Sequence, residues 1–369
     1  MVGPFPQDIG TPSGGVEAAT VNLIHGIAKV SPQIEISVVA YSTSDSRTVV
    51  SHSFGEAIYV PQRSGFKGWR TDLHGELYDL ASRESADIVH VQGLASVAIR
   101  LRKSVLTVHG MAERDTWANS SGTSRLPRTV ATGLLEGLPR LAARRVISIS
   151  QRQHQLALRL GANSHHIPNA LHEDFFCAGD PVVTRDPSLL VQSGIINPLK
   201  RVHDSIKALR QIKADYSGAQ IVFAGSGVDS EYGKYCVELA RELGVLSAVH
   251  FAGKMSTLEM ASLLRSAAVL VHPSIQENAP MAVAEALASG TAVVARGVGD
   301  IPNMLHQAPG CVVTPLASDL AGPLTQGLAL YDDSQAAGRR SKAIRYEPSR
   351  VALETIEVYR SYATGKSSA

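Results

Sequence analysis

Short runs of β-branched and other apolar residues alternate with longer stretches of helical periodicity along most of the chain. The predicted strands of the first half are 35–42, 87–92, 104–110 and 146–150. Those of the second half are 188–195, 219–225, 248–253, 268–274, 291–295 and 310–315. Apolar runs of this length are typical of strands buried on both faces, and their alternation with helices predicts parallel sheets covered by helices. The pattern therefore predicts the α/β class, with two Rossmann-like domains facing across a cleft.

The length of 369 residues also favours two domains. Between the two sets of strands, four residues interrupt any helix or central strand: Pro168, Gly179, Pro181 and Pro187. We predict an N-terminal domain over 1–172 and a C-terminal domain over 173–349, and we expect a helix at about 350–369 to pack back on the first. Ligands of open parallel sheets bind outside the carboxyl ends of the strands, which places the predicted site in the cleft.

The charge is nearly balanced, with 35 Lys and Arg against 33 Asp and Glu. This argues against a chain that holds nucleic acid by phosphate neutralisation alone. Cys177, Cys236 and Cys311 lie far apart, so no disulfide framework and no thiolate metal cage is predicted. We see no leader segment and no apolar run long enough to span a membrane, and we expect a cytoplasmic protein.

Two segments are candidates for phosphate binding: one contains paired glycines and the other contains two adjacent cations. In 10–28 a glycine-bearing loop leads into an amphipathic helix, so Gly14 and Gly15 could let backbone N–H groups approach an anion. The ordinary alternative is that these glycines only turn the chain. Lys200 and Arg201 follow a strand and precede a helix, where cations suit a pyrophosphate or form a solvated helix start.

The segment 272–295 predicts a helix with Asn278 as its N-cap, Pro280 in its first turn and Gly290 at its end. Glu277 lies just before this helix. Glu285 lies within it, roughly 9 Å further along the axis.

A carboxylate in the Ala-rich context of Glu285 is costly to bury without a partner, and ligand hydroxyls could supply one. The two glutamates could then bracket a diphosphate with a sugar at each end. The alternatives are that Glu277 is a surface acid and that Glu285 pairs with a structural arginine.

Two groups of histidines are considered for a chemical role: His109 alone, and three histidines of the interdomain segment. His109 ends a strand and would face the cleft, although a lone histidine is more often structural. His165, His166 and His172 do not have a metal-ligand spacing, so no metal site is predicted there.

Together these segments resemble the retaining glycosyltransferases of sequence family 4, which have the two-domain fold called GT-B. The resemblance covers nearly the whole chain. Glu277 and Glu285, in ENAPMAVAEALASG, match the family's most specific motif of two glutamates separated by seven residues. IPNALHEDFF is similar to the interdomain segment, SGIINPLKR to the Gly-Arg-x-x-x-x-Lys donor loop and GGVE to the N-terminal glycine loop.

The resemblance implies transfer of a sugar from a nucleotide-sugar donor, UDP- or GDP-linked, to a hydroxyl acceptor, without a metal or other cofactor. The first domain would be on the acceptor side and the second would bind the donor. Glu277 would contact the donor sugar, Glu285 the ribose and Lys200 the diphosphate. His109 would lie near the reaction centre, so His109 and Glu277 are the catalytic candidates.

The remaining donor-binding candidates that the resemblance implies lie near the diphosphate, the helix start and the base. They are Gly14, Gly15, Arg201, Lys254, Met255, Asn278, Ala279 and Met281.

Two departures from the family pattern stand out. Ile195 replaces the arginine that commonly follows the donor-loop glycine, which leaves one cation fewer unless Arg201 compensates. MVGPFP lacks the apolar run that usually precedes the glycine loop, which predicts a late start or an unusual edge of the first sheet.

Two other function classes remain open, and a third, a dinucleotide-dependent dehydrogenase, is disfavoured. A nucleotide-sugar epimerase of the same fold would form product without an acceptor, and a binding protein without catalysis would keep the same site. Gly225 and Gly227 nearly fit a dinucleotide-binding motif, but the expected acidic residue does not follow.

The segment 125–146 is basic with apolar residues interleaved. The favoured interpretation is an ordinary helix, interrupted at Pro139, that leads into a strand. The alternative is contact with an anionic membrane surface by a peripheral protein. The acceptor therefore stays open among a lipid-linked sugar, a glycan or polysaccharide precursor and a small metabolite.

Overall fold

The structure is a computed structural model. It describes residues 1–42, 44–61, 79, 86–101, 103–110, 125–177 and 185–363. The chain divides into two compact units, one made of Met1–Ala170 with Pro348–Ala369 and the other of Leu171–Glu347. Gly179 and Pro181 of the predicted boundary segment, and residues 364–369 of the predicted last helix, lie outside the described ranges.

The strands of the first unit form two sheets, which the N-terminal residues connect. In chain order they are β1 (Ile36–Ser42), β2 (Thr48–His52), β3 (Gly55–Pro61), β4 (Val89–Gln92), β5 (Ser104–Val108), β6 (Arg145–Ser148) and β7 (Asn163–His166). One sheet has the order β1-β3-β2 and the other the order β4-β5-β6-β7. Val38 and its neighbour Val39 belong to different hydrophobic clusters, so the core lies on both faces of β1.

The first unit departs from the predicted parallel sheets at one strand, because β2 pairs with β3 in antiparallel register whereas the other strand pairs are parallel. Neither of these strands, nor β7, was predicted. β2 is half-buried or exposed along its whole length and β7 is polar, as suits strands at the ends of their sheets. Such strands lack the continuous apolar run of a strand buried on both faces.

The N-terminal residues were expected to form an unusual edge of the first sheet, but they do not lie at an edge. Val2 bridges in parallel to both Val39 of β1 and Val91 of β4, so the N-terminal residues lie between two strands. The Val2 N–H donates to the carbonyl of His90 (2.8 Å), and the Val2 carbonyl accepts from the N–H of Gln92 (2.7 Å). Backbone pairing on both sides therefore holds this short segment where the apolar pattern is brief.

The helices within the described residues cover these strands and those of the second unit. In chain order they are α1 (Gly15–Val30), α2 (Ala95–Ala98), α3 (Arg125–Thr132), α4 (Leu138–Ala142), α5 (Gln151–Arg159), α6 (Val202–Ile212), α7 (Glu231–Glu242), α8 (Thr257–Ser266), α9 (Met281–Ala288), α10 (Ile301–Met304), α11 (Ala321–Ala329), α12 (Ala336–Ala343) and α13 (Pro348–Ala363). α13 belongs to the first unit and packs against α1. Among the described residues, none of these helices is long and apolar enough to cross a membrane.

Pro139 does not interrupt the basic segment as predicted. A π-helical stretch, Gly133–Gly137, joins α3 to α4, and Pro139 lies in the first turn of α4. A proline in a regular helix removes one hydrogen bond and clashes with the carbonyl four residues earlier, and the wider π turn leaves room for it. The segment therefore continues as one helical element.

The second unit is built on a six-stranded sheet that is parallel throughout. Its strands are β8 (Asp186–Ser193), β9 (Gln220–Ala224), β10 (Val249–Gly253), β11 (Ala267–His272), β12 (Ala292–Arg296) and β13 (Val312–Thr314). All ten strands predicted from the sequence are present, each end within two residues of its predicted place.

The order of the second sheet is β10-β9-β8-β11-β12-β13. Numbered from β8, this is the 3-2-1-4-5-6 order of a doubly wound fold. The strand order reverses between β8 and β11, and ligands of such sheets bind outside the carboxyl ends of the strands at that point. The fold thus directs attention to the loops that follow β8 and β11.

Candidate functional site

An ion pair occupies the reversal point of the second sheet. Lys200 ends a short 3₁₀ turn, Pro198–Lys200, in the loop after β8, and the side chain of Asn197 caps this turn by accepting from the Lys200 N–H (3.1 Å). Glu277 lies in the loop after β11. The Lys200 Nζ atom is 2.6 Å from Glu277 Oε1, so the structure brings together two residues that were predicted separately.

His272 donates a hydrogen bond to the same carboxylate. It is the last residue of β11, its side chain is 1% exposed, and its Nε2 atom lies 3.1 Å from Glu277 Oε1. Burial opposes ionisation of Glu277, but the hydrogen bond from His272 and the charge of Lys200 outweigh it and hold the pKa of Glu277 well below its ordinary value. Glu277 is a largely buried, ionised carboxylate with a side chain that is 13% exposed, so it is not a surface acid.

Glycines bring the neighbouring loops close to Lys200. At Gly194 (φ +124°) a side-chain Cβ would lie 3.3 Å from Lys200 Cε, so the lysine stem lies over this residue. A Cβ at Gly225 would overlap with the Gly194 carbonyl, and one at Gly227 would lie 2.8 Å from the Ile196 carbonyl oxygen. Gly225 and Gly227 therefore allow the loop after β9 to pack on the loop after β8, which accounts for both glycines without a dinucleotide.

Arg201 points its charge to a different partner. It adopts a left-handed conformation (φ +51°) at the start of α6, and its guanidinium binds both carboxylate oxygens of Asp204 at 2.8 and 3.1 Å. Arg296, at the end of β12, approaches the same carboxylate at 2.8 Å. Arg201 is thus engaged inside the loop that was expected to offer it to a diphosphate. Ile195, at the position of the family's arginine, is 51% exposed.

The end of α9 agrees with the prediction but its start does not. Gly290 adopts φ +76°, its N–H donates to the Leu287 carbonyl, and the Thr291 N–H donates to the Ala286 carbonyl, which is the Schellman pattern of a helix end. The N-cap is Pro280 rather than Asn278.

Asn278 is instead held by a later loop, because its carbonyl accepts from the Asp300 N–H at 2.7 Å. Gly299 (φ +59°) makes this possible, since a Cβ there would overlap with the Asn278 and Glu277 carbonyl oxygens. Ala279 and Met281 follow as half-buried residues at the entry to the helix.

Glu285 is the fifth residue of α9 and is half-buried. Desolvation raises the pKa of Glu285 to about 7. Within the described residues no hydrogen bond or ion pair to its carboxylate is found, so its pairing with a structural arginine is not observed there. A half-buried carboxylate without such a partner can accept hydrogen bonds from ligand hydroxyls.

Lys254 and Met255 follow the carboxyl end of β10, which is the same edge of the sheet as Lys200 and Glu277. Lys254 is exposed and Met255 half-buried. β10 is separated from β8 by one strand, so these positions lie two strand spacings, roughly 10 Å, from the loop after β8.

In the first unit, His109 is held by a chain of buried polar side chains. Its Nε2 atom lies 2.6 Å from Gln92 Oε1, and Gln92 is in turn within 3.4 Å of His90 Nε2. His90 also contacts Thr107 Oγ1 (2.5 Å) and the Tyr359 hydroxyl (2.6 Å). Burial lowers the pKa of His109 to about 4, although a hydrogen bond that the imidazole donates to Asn169 acts in the opposite direction, so the imidazole is neutral at pH 7.

The glycine loop of the first unit leads into α1 as predicted, with Gly14 as N-cap and Gly15 as the first helical residue. A Cβ at Gly14 would meet open space. The carboxylate of Glu17, however, already accepts from the N–H (2.6 Å) and the hydroxyl (2.7 Å) of Ser13 beside this helix start. An anion bound here would therefore lie next to a negative charge.

Sequence reasoning missed His272, Gly299 and Gln92. The signal was present for His272 and Gln92, since each is a polar residue at the end of an apolar strand. Their roles became visible only when partners from distant segments were known. Among the described residues, no group of three or more His, Cys, Asp or Glu side chains is placed to hold a metal ion.

Comparison with known proteins adds independent evidence. Residues 13–183 match the profile of the family "Glycosyltransferase Family 4", and residues 180–342 match that of "Glycosyl transferases group 1". The glycogen synthase of Mycobacterium tuberculosis is 30% identical over 180 residues, which are 47% of this chain and 42% of that protein. The chain spans less than half the length of the first curated relatives it matches.

Solved structures agree in fold over nearly the whole length. The sucrose-phosphate synthase of Thermosynechococcus elongatus has a TM-score of 0.77 at 17% identity, with 99% of each chain covered. Anabaena HepE in complex with UDP-glucose has a TM-score of 0.69 at 17% identity, with 98% of this chain and 99% of that chain covered. Two glycosyltransferase profiles thus match successive parts of the chain, and its architecture is that of the GT-B fold.

Proposed function

We propose that the chain is a retaining glycosyltransferase of sequence family 4 that moves a sugar from a nucleotide-sugar donor to a hydroxyl acceptor. The observation that carries the proposal is the Lys200–Glu277 ion pair at the reversal point of the second sheet. One cation and one buried carboxylate at a ligand-binding position suit a donor with a diphosphate next to a sugar.

The ion pair can serve both parts of such a donor. Lys200 would contact the diphosphate and stabilise the negative charge that develops on it as the glycosidic bond breaks. Glu277 would keep its hydrogen bond from His272 and accept hydroxyls of the sugar with its remaining acceptor positions. Because Lys200 lies at the carboxylate, it also offsets the repulsion between Glu277 and an incoming diphosphate.

The α9 helix would add to the same electrostatic effect. Its first backbone N–H groups have no acceptor within the helix, and the helix dipole favours an anion at this end. The residues before it, Glu277 and Asn278, lie against the loop after β12, since the Asn278 carbonyl accepts from the Asp300 N–H and Gly299 packs against both carbonyls. A preformed loop of this kind would not need to reorganise when the donor binds.

The nucleoside would extend along the edge of the sheet. The base would lie near Lys254 and Met255, roughly 10 Å from the loop after β8, and Glu285 would accept hydroxyls of the ribose. The structural similarity to HepE, whose structure holds UDP-glucose, supports a nucleotide-sugar donor. His109 is proposed near the reacting carbon as a neutral imidazole.

The test is a two-step assay. Thermal shift across UDP- and GDP-sugars identifies the donor, because a ligand that binds only the folded state raises the melting temperature. The donor is then incubated with candidate acceptors in excess chelator, and NMR of the anomeric proton follows the product. Transfer with retention supports the proposal.

Three outcomes would contradict it in whole or in part. Conversion of the donor without any acceptor would favour an epimerase, and donor binding without any product would favour a non-catalytic binding protein. A rate that collapses in chelator and returns with magnesium or manganese would contradict the metal-independent roles given to Lys200 and α9.

A further inference from the structure

The basic helical segment of the first unit carries a row of exposed apolar side chains. Five large apolar residues of α3, the π-helical stretch and α4 are between 42% and 63% exposed: Leu126, Val130, Leu134, Leu138 and Leu141. They recur every third or fourth residue, so they share one face of a helical element. Single exposed leucines are ordinary on a protein surface, but a continuous row marks an interaction site.

The charge around this row is positive. Residues 125–162 contain seven arginines, no lysine, no aspartate and a single glutamate, whereas the whole chain has a formal charge of only +2. That glutamate, Glu136, is turned inward. Its carboxylate accepts from the Ala95 N–H (2.7 Å) and the Ser96 hydroxyl (2.6 Å) at the start of α2. The outward charge of the segment is therefore entirely basic.

The next helix, α5, also exposes leucines and arginines. Leu156, Leu158 and Leu160 are exposed at 38% to 49%. They lie beside Arg152 and Arg159, both also exposed. The two helical segments approach each other at one point, since a Cβ at Gly161, directly after α5, would lie 3.5 Å from the Arg144 guanidinium.

We propose that the exposed side chains of residues 126–144 form a basic apolar surface that binds an anionic lipid bilayer. Transfer of leucine side chains from water to the boundary between headgroups and acyl chains lowers the free energy. Arginine stems can lie along that boundary while the guanidinium groups reach lipid phosphates. The absence of an outward acid on residues 125–162 removes the repulsion that an anionic surface would otherwise meet. The inference goes beyond the proposed function, because it requires neither a donor nor turnover.

The experiment is vesicle flotation with the full chain, using phosphatidylcholine vesicles with and without phosphatidylglycerol. We expect binding only to the vesicles with phosphatidylglycerol, and weaker binding as salt is raised. The double variant Leu134→Gln/Leu138→Gln should reduce the partition coefficient about tenfold or more. The double variant Arg128→Gln/Arg144→Gln should reduce it about fivefold per arginine at low salt.

Matched controls separate this surface from general stickiness. Leu258→Gln removes a leucine that is 62% exposed in the second unit, and Arg210→Gln removes an exposed arginine of α6. Both should bind vesicles like the unchanged chain, and circular dichroism should show the same melting temperature for all variants.

Three results would overturn the proposal: no flotation, equal flotation with neutral vesicles, or flotation that the two double variants leave unchanged. A concentration-dependent dimer that these variants abolish, in a chain that ignores vesicles, would assign the surface to a second copy of the chain instead. Calorimetry with UDP and GDP on the same samples keeps this outcome apart from a failure of the proposed function.

Discussion

Lys200 and Glu277 are 77 positions apart in the sequence, yet their side chains are in contact at 2.6 Å. The strand order explains this, because β8 and β11 are neighbours in the sheet and each residue lies in the loop after its strand. The pair is half-buried on the lysine side and more buried on the glutamate side, at 26% and 13% exposure. A ligand phosphate can therefore reach the lysine without unfolding the loop.

Replacement of Lys200 by alanine tests whether this loop binds phosphate. A charge-assisted hydrogen bond contributes roughly 1.5 to 3 kcal/mol, so Lys200→Ala should weaken a nucleoside diphosphate about ten- to a hundredfold. Isothermal titration calorimetry measures this directly. Lys207→Ala, an exposed lysine on α6, is the control and should leave the affinity unchanged. Equal affinities for all three proteins would show that the loop is not a phosphate site.

The reverse change adds the missing cation. Ile195 is half exposed, so Ile195→Arg can be accommodated without opening the core. The family's arginine stands at this position, and we expect the variant to bind the nucleoside diphosphate more tightly than the unchanged chain. A decrease in affinity would mean that the introduced arginine cannot reach the phosphates from this loop.

The two glutamates should respond differently to neutralisation. Glu277→Gln should mainly lower kcat, because the proposed contact is to the sugar, and it should leave the affinity for the free nucleoside diphosphate nearly intact. Glu285→Gln should weaken that nucleotide above about pH 7, where Glu285 is ionised, since the ribose hydroxyls would lose a charged acceptor worth about 1.5 to 3 kcal/mol. Calorimetry and steady-state kinetics on both variants decide the matter. Equal effects on nucleotide affinity would show that the roles are misassigned.

His109 and Gln92 provide a test with a pH readout. His109→Ala should reduce transfer far more than it reduces the free energy of unfolding. Gln92→Glu should place a carboxylate 2.6 Å from the imidazole and raise the pKa of His109 from about 4, since an opposite charge favours the protonated form. The acid limb of the kcat/KM profile should then move to higher pH.

Two results would contradict this role. Unchanged turnover of His109→Ala with saturating substrates would make the histidine structural. An acid limb that stays in place in Gln92→Glu would show that His109 does not set it, even if turnover falls.

Some residues of the site were predictable and others were not, for a physical reason. Lys200 and Glu277 each follow an apolar strand, so local sequence marks them as strand-end residues. His272 and Gln92 act through contacts to side chains of other segments, and the sequence does not say which strands are neighbours. Arg201 differs, because its partner Asp204 lies only three residues away, so the local sequence alone could have indicated this ion pair.

At the scale of elements, the close packing of the β8 and β9 loops depends on Gly225. A methyl group there would overlap with the Gly194 carbonyl and push the donor loop away. Gly225→Ala should lower the free energy of unfolding by roughly 3 kcal/mol or more and should also weaken nucleoside diphosphate binding. Urea denaturation and calorimetry measure the two effects.

Gly244→Ala is the matched control for this change. Gly244 has φ +68° with no atom near its missing Cβ, so alanine there meets backbone strain of about 1 to 2 kcal/mol and no overlap. If the two variants were equally stable and bound nucleotide equally well, the loop contact would have no energetic weight.

The helix α9 illustrates which element boundaries a sequence specifies. Its C-terminus was predicted because Gly290 supplies a left-handed residue, and this requirement is local. Its N-terminus was predicted wrongly because the Asn278 backbone is held by Asp300, on a loop that follows the next strand. Buried strands were found for the same local reason, whereas the antiparallel hairpin of β2 and β3 lacks a continuous apolar run on its exposed strand.

At the scale of the whole molecule, two buried arginines hold the C-terminal end of α9 in the second unit. Arg185 donates to the Ser289 carbonyl (2.5 Å) and Arg339 to the Gly290 carbonyl (2.7 Å). Cations at a helix C-terminus complement its dipole and satisfy carbonyls that have no partner within the helix. The helix that carries Glu285 is therefore fixed at one end by the core, and its other end is left for the proposed ligand.

The half-buried carboxyl of Glu285 should make the stability of the protein depend on pH. Its pKa is raised from 4.5 to about 7, so the folded state holds a proton that the unfolded state releases between these values. The stabilisation is fully present below about pH 4.5 and is lost as pH rises through about 7. Glu285→Gln removes this dependence. The variant should therefore gain about 1 to 3 kcal/mol of stability relative to the unchanged chain between about pH 4.5 and pH 8.

Urea denaturation followed by circular dichroism at several pH values measures the difference between the two proteins. Glu242→Gln, which removes an exposed carboxylate of α7, is the control for loss of a negative charge. A pH-independent difference for Glu285→Gln would mean that Glu285 is solvated in the folded protein. The ribose role would then lose its physical basis, since a solvated carboxylate gains little when ligand hydroxyls replace water.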